Sequence, residues 1–208
     1  MTKSDLSGLF AAIDTLCTQK NPVLAAIDGR CASGKTTLAA RLRERFGCSV
    51  IHTDHFFLRP QQRTPQRYQE PGGNMDRERL LEEVLQPLHR GEPVQYCPFL
   101  CHNGRLGDPI LVPANGLILV EGSYSCHPEL RSFYDLTVFL TVSPEEQLRR
   151  ILHREGPEKT EIFRQRWIPL EEHYFSAHHT AECCRFCLDT SDAISSDVFD
   201  HISERNCT

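Results

Sequence analysis

The stretch Val23-Leu-Ala-Ala-Ile-Asp-Gly-Arg-Cys-Ala-Ser-Gly-Lys-Thr-Thr37 decides how the rest of the chain is read. Its first five residues are an uninterrupted apolar run between turn residues, the pattern of a strand buried on both faces. From Gly29 to Thr36 every fixed position of G-x4-G-K-[ST] is filled, and Ala39, Leu42 and Phe46 then recur at helical spacing. Strand, glycine loop and helix in that order make a cradle where backbone N–H groups converge on one point. The helix N-terminus adds its positive end, so the segment is built for polyphosphate. Gly29, Ala32, Ser33, Gly34, Lys35, Thr36 and Thr37 are therefore the candidate nucleotide-binding residues, with Lys35 reaching the β- and γ-phosphates of ATP and the Thr36 hydroxyl holding Mg2+.

Outward from this stretch, Leu6, Leu9, Phe10, Ile13 and Leu16 predict an amphipathic leading helix that Pro22 ends. Residues 50–51, 117–120, 136–142 and 185–188 predict further strands, and 94–99 with 110–112 a smaller β excursion. Helices are expected over 80–88, with Pro87 straining the last turn, and over 144–155 and 160–175. Residues 57–75, rich in Arg, Gln, Pro and Gly, read as a long loop, and long loops in compact domains tend to carry function. Strands alternating with helices imply βαβ crossovers and a mainly parallel sheet covered on both faces. The expected class is α/β: one three-layer α/β/α domain over residues 1–208, with a substrate-side insertion at 58–76 and a helical lid near 149–166.

The composition narrows the function classes. With 23 Lys and Arg against 28 Asp and Glu, the net charge of -5 argues against binding nucleic acid or anionic membrane by bulk electrostatics. No apolar run approaches the roughly 20 residues that span a bilayer, and the N-terminus lacks an apolar signal core, so the expected location is the cytoplasm. Ten cysteines are then expected as reduced thiols. Two groupings, Cys97/Cys101/His102 and His178/His179/Cys183/Cys184/Cys187, have the residue types for zinc, against the plainer reading of small packed thiols. Cys31 lies inside the phosphate loop, where Lys35 and the oriented amides are expected to favour its thiolate.

A phosphate loop alone does not separate a switch GTPase, a motor and a small-molecule kinase. The base-reading N-K-x-D sequence of GTPases is absent. Two acids are present at strand ends: Asp54 after the second strand, and Glu121 closing Leu117-Ile-Leu-Val-Glu121-Gly122. In a parallel sheet the carboxyl ends of strands share one edge, so both acids face the phosphate loop. Asp54 is the candidate base for an attacking hydroxyl, with metal contact through water, and Glu121 the candidate metal ligand. Between residues 147 and 167 lie Arg149, Arg150, Arg154, Arg164 and Arg166. Arg150 and Arg154, four apart, share a helix face that aims two guanidinium groups at transferring phosphate, the work of a closing lid.

In this order the chain resembles the uridine kinase and phosphoribulokinase group of P-loop kinases. The residues carrying the resemblance are Ile27–Thr37, His52-Thr-Asp54-His-Phe-Phe57, Gly73-Asn-Met-Asp76, Gly91-Glu-Pro-Val-Gln-Tyr96, Val120-Glu121-Gly122 and Leu148-Arg-Arg-Ile-Leu-His-Arg154. The resemblance implies ATP- and Mg2+-dependent phosphorylation of a hydroxyl, most simply the 5′-OH of uridine or cytidine. It makes Asp54 the catalytic aspartate, Asp76 the ribose-binding aspartate, and Arg150 and Arg154 lid arginines. Phe57 and Phe99 complete the expected substrate pocket, with Asp76 also readable as a helix cap. Three positions depart from the family pattern: Phe57 replaces Tyr, Leu100 stands where Asp is common, and His102 falls near, but out of register with, the base-contacting histidine. A kinase for another hydroxyl compound (a sugar, a sugar phosphate or a vitamin precursor) and a non-catalytic nucleotide-binding regulator are the competing readings. The expected partner is a small molecule, with a homo-oligomer allowed.

Overall fold

A computed structural model describes residues 3–192. The apolar run at the start of the phosphate-binding stretch forms β1 (Val23–Gly29), buried along its whole length. β2 (Ser49–His52) follows, then four short strands outside the main sheet: β3 (Val94–Tyr96), β4 (Phe99–Leu100), β5 (Arg105–Leu106) and β6 (Ile110–Val112). These pair antiparallel, β3 with β6 and β4 with β5. β7 (Leu117–Glu121), β8 (Leu136–Thr141) and β9 (Phe186–Asp189) complete a parallel sheet in the order β2-β7-β1-β8-β9. The molecule is thus α/β. Among the described residues no helix is long and apolar enough to cross a membrane.

Alternation along the strands assigns side chains to two cores. Leu24, Ile51, Ile118, Val120 and Phe139 point to one face, and Val23, Ala25, Ile27, Leu119, Val138 and Leu140 to the other. The second face is covered by α1 (Lys3–Gln19) and α2 (Lys35–Phe46), whose Leu6, Leu9, Ile13, Leu38 and Leu42 are fully buried there. Truncating one of these leucines to alanine costs roughly 2–5 kcal/mol.

The other face is built from shorter pieces: α3 (Pro65–Gln69), α4 (Arg77–Leu80), α5 (Gln86–His89) and α6 (Pro128–Arg131). After β8 come α7 (Pro144–Glu155), α8 (Pro157–Ile162), α9 (Ile168–His178) and α10 (Thr180–Cys183). The expected helix over 80–88 is α4 and α5 joined by a wide turn, Leu81–Leu85, in which the Gln86 amide bonds back five residues to Leu81 O. Pro87 explains it: with no N–H and a ring that crowds the carbonyl four residues back, it widens the helix just before it. Pro169 does the same between α8 and α9, where the Ile168 amide reaches Phe163 O across Phe163–Trp167.

Residues 57–75 are less irregular than their composition implies. Thr64 caps α3 by accepting from the Arg67 amide, Pro65 occupies the first helical position, and a bridge between Phe57 and Met75 closes the segment. The two Cys/His groupings do not converge: among the described residues no cluster of three or more His, Cys, Asp or Glu is arranged for a metal. The described cysteines are free thiols. The expected single domain extends to residues 1–2 and 193–208, Cys207 included, which lie outside the described residues.

Candidate active site

At the carboxyl edge of the sheet, β1 turns into the phosphate loop through Gly29. A Cβ there would stand 2.0 Å from Leu140 O, at φ +136°, so only glycine lets the loop pass β8 so closely. The loop closes on Gly34, which is left-handed and leads α2 without a side-chain cap and without an acid in its first turn. The helix N-terminus is therefore open to an anion. Lys35 curls back so that Nζ donates to Gly29 O (2.7 Å) and Arg30 O (2.8 Å).

Register sets the acids. Glu121 ends β7 between Ile27 of β1 and His52 of β2. Its carboxylate accepts from Thr36 Oγ1 at 3.2 Å and lies 2.6 Å from His52 Nδ1. The next residue, Gly122, has φ +132°, and a Cβ there would meet Thr53 Oγ1 at 2.0 Å. Thr53 Oγ1 in turn donates to Ser123 O at 3.1 Å. This tight crossing fixes Asp54, one residue on, opposite Glu121 in the same cavity. Asp54 is open to solvent yet walled by protein. Lost hydration, followed by the Glu121 charge, raises its pKa and makes it a better proton acceptor than an ordinary aspartate. The hydrogen bond that His52 donates to the Glu121 carboxylate likewise raises the pKa of His52.

A carboxylate that the sequence reading passed over braces the loop from below. Asp28 is fully buried and accepts from the amides of Gly29 (2.7 Å), Tyr124 (3.1 Å) and Cys126 (2.9 Å) and from Tyr174 Oη (2.9 Å). It holds Tyr124 in a left-handed conformation at φ 74°. Burial pushes its pKa up to about 6. Its signal in the sequence is an acid directly after the apolar run Val23–Ile27. Two adjacent acids of α9 reach the loop as well: Glu171 accepts from the Cys31 amide at 2.9 Å and from Ser123 Oγ at 2.5 Å, and Glu172 pairs with Arg30 at 2.6 Å. The expected Cys31 thiolate is corrected here. Burial, and then the Glu171 charge, push that thiol well above its ordinary range, and Gln147 Nε2 packs on it at 3.1 Å.

These elements enclose a cavity of about 920 Å³, near the upper end of small-ligand sites. Ala32, Ser33, Gly34, Lys35, Thr36, Thr37, Asp54, Phe57, Glu121, Arg150 and Arg154 all line it. Arg150 is tied into the wall by Ala32 O and Thr190 O and paired with Glu146, while Arg154 pairs with Glu155. Arg149 and Arg164 pair with Glu146 and Glu161 and do not line the cavity. Asp76 and Phe99 are not among the lining residues either. Asp76 is 2% exposed and caps α4, accepting from the Arg79 amide at 3.3 Å and from Gln62 Nε2 at 2.8 Å. Phe99 is buried in β4. The cavity also draws on Arg63, Tyr68, Tyr124 and Trp167, which the sequence reading did not single out, on Asn74 of the Gly73–Asp76 motif, and on Cys101, named from the sequence only in a zinc grouping.

The site fits a nucleotide and its metal. The Glu171 carboxylate already occupies a loop amide as an anion would, and Ser33 Oγ is fully buried with no hydrogen-bond partner in the protein. Thr36 and Glu121 bring hard oxygen donors together, the sparse set that Mg2+ accepts while keeping waters and phosphate oxygens as its other ligands.

Comparison with known proteins bears on the family and the fold. A family model described as AAA domain matches residues 26–168. A uridine kinase of Brevibacillus brevis is 29% identical over 150 residues, covering 67% of this chain and 69% of that protein. Among solved structures, a possible uridine kinase from Bacillus stearothermophilus superposes with a TM-score of 0.63 at 19% identity, over 88% of this chain and 100% of that one. D-glycerate 3-kinase from Cryptococcus neoformans superposes at 0.56 and 15% identity, over 82% and 87%. The last two likenesses concern the fold.

Proposed function

The chain belongs to the AAA-domain family matched over residues 26–168, and from that premise we propose that it is an ATP-dependent kinase transferring the γ-phosphate to a hydroxyl of a small molecule. The observation that carries the reading is the one cavity that the phosphate loop, Glu121 and Asp54 all line. Lys35 and the loop amides hold the phosphates, and Arg150 and Arg154 offset charge on the transferring group. Asp54 orients the acceptor hydroxyl and takes its proton. Thr36 and Glu121 are the residues that would hold Mg2+, which when bound supplies charge neutralisation at the phosphates.

A nucleoside 5′-OH is the acceptor suggested by the relatives' names. The burial of Asp76 as a helix cap and of Phe99 in β4 favours the second reading, a non-nucleoside hydroxyl compound. Asp54→Asn is expected to lower kcat by roughly 10²–10⁴ with ATP affinity unchanged. Measuring ADP release across nucleosides and small hydroxy metabolites tests the reading, and ATP binding with no ADP release from any acceptor would instead mark a regulator.

A further inference from the structure

The cavity has two unlike halves. The half around the phosphate loop carries all three lining acids, Asp54, Glu121 and Glu171. The half contributed by residues 57–74 and 163–167 carries none, yet two of the four lining arginines, Arg63 and Arg166, stand there.

The four arginines are held differently. Arg150 and Arg154 have carboxylate partners close by on the lid. Arg63 spends only Nε, on Leu58 O at 3.0 Å, and its guanidinium lies 5.9 Å from the Phe99 ring. Arg166 lies against the faces of Trp167 at 4.6 Å and Tyr68 at 5.6 Å. Neither has a carboxylate within salt-bridge distance among the described residues, although acids outnumber bases in this chain and most of its other arginines are paired. Their forks are thus set in position by aromatic faces and a backbone carbonyl, with the donor edges left for a ligand. Cys101 ties this half to the chemistry, because it lines the same cavity as Arg63 and Asp54.

We propose that the phosphoryl acceptor is an anionic hydroxy compound whose carboxylate or phosphate is bound by Arg63 and Arg166 while its hydroxyl meets Asp54. The inference rests on the kinase reading. In the transfer, the bond from the γ-phosphorus to the β,γ-bridging oxygen breaks and a bond from that phosphorus to the acceptor oxygen forms. ADP leaves with the bridging oxygen and its electron pair, and the hydroxyl proton passes to Asp54 and then to solvent. A neutral nucleoside leaves both guanidinium groups without a counter-charge.

The single tryptophan, Trp167, sits beside Arg166 in the cavity wall and reports occupancy by its fluorescence. Matched pairs, glycerate with glycerol and ribose 5-phosphate with ribose, are titrated alongside uridine in the presence of a non-hydrolysable ATP analogue, and ADP release is measured with ATP. At least one charged member is expected to bind roughly ten- to hundredfold tighter than its neutral counterpart, and which pair responds distinguishes carboxylate from phosphate. Arg63→Ala should erase that preference and raise the acceptor KM with the ATP KM unchanged, and Arg63→Lys should restore part of it, since the charge returns without the fork. ADP release with uridine in preference to every charged compound, or a charge preference untouched by Arg63→Ala, overturns the inference while leaving the kinase reading intact. Arg63-dependent binding without ADP release keeps the anion site and overturns the kinase reading, whereas no binding and no turnover across the charged compounds overturns the inference outright.

Discussion

The two walls of the cavity are held by different means. The phosphate-loop wall is cross-tied through the interior: Asp28 alone joins β1, the turn after β7 and α9 by four hydrogen bonds, and Glu171 and Glu172 add ties from α9 to Cys31, Ser123 and Arg30. The opposite wall, residues 57–76, is held mainly by its own short-range contacts. Arg67 grips Gly73 O and Met75 O at 2.8 Å and Glu78 at 2.7 Å, and Thr64 and Asp76 cap short helices. A group common to every turnover is met by a surface that several distant elements over-determine. On the proposed reading, the acceptor meets a segment that can change without disturbing the sheet.

The largest expected effect tests the first wall. Asp28→Ala strands three amides and a tyrosine hydroxyl in the interior and should lower stability by roughly 3–5 kcal/mol, measured by denaturant unfolding, with ATP binding weakened alongside. The pH dependence has a definite sign. Asp28 titrates near 6 when folded against an ordinary value of 3.8, so the folded state binds the proton more tightly. Its share of stability is fully present below about pH 4 and is lost as pH rises through about 6, a change of roughly 3 kcal/mol. Asp28→Asn should flatten that part of the stability profile, and an unchanged slope would remove Asp28 as its source.

Arg67→Ala tests the second wall. It should lower stability by about 1–3 kcal/mol and raise the acceptor KM while the ATP KM stays fixed. Equal movement of both constants would mean the walls are mechanically one. Smallest is Asp76→Ala, expected to cost about 1 kcal/mol as a lost cap and to leave both constants where they were. A selective rise in acceptor KM would return Asp76 to the substrate.

The difference between the walls also governs what could be read from the chain. Residues 23–37 are legible because a buried strand, a glycine-rich turn and a helix start each constrain residue type, and the positions of Asp54 and Glu121 follow from strand ends sharing one edge. Asp28 escaped because a buried, multiply bonded carboxylate looks like any acid beside a turn. Arg63, Tyr68 and Trp167 escaped because their approach to the cavity depends on how a loop folds over the sheet edge, which no local period records. Asp76 could be read from the sequence as either cap or ligand; the structure shows it capping α4, and Asp76→Ala tests the ligand role.

The wide turn before Pro169 carries a consequence for phase. Each helical residue advances the side-chain direction by about 100°, so the five-residue stretch Phe163–Trp167 works as a gear between two shafts. Upstream of it α8 keeps its own rotation. Downstream, Glu171, Glu172 and Tyr174 arrive together at the Cys31 amide, Arg30 and Asp28. A one-residue insertion or deletion in that stretch would not merely bend the helix; it would turn all three teeth off the phosphate loop at once.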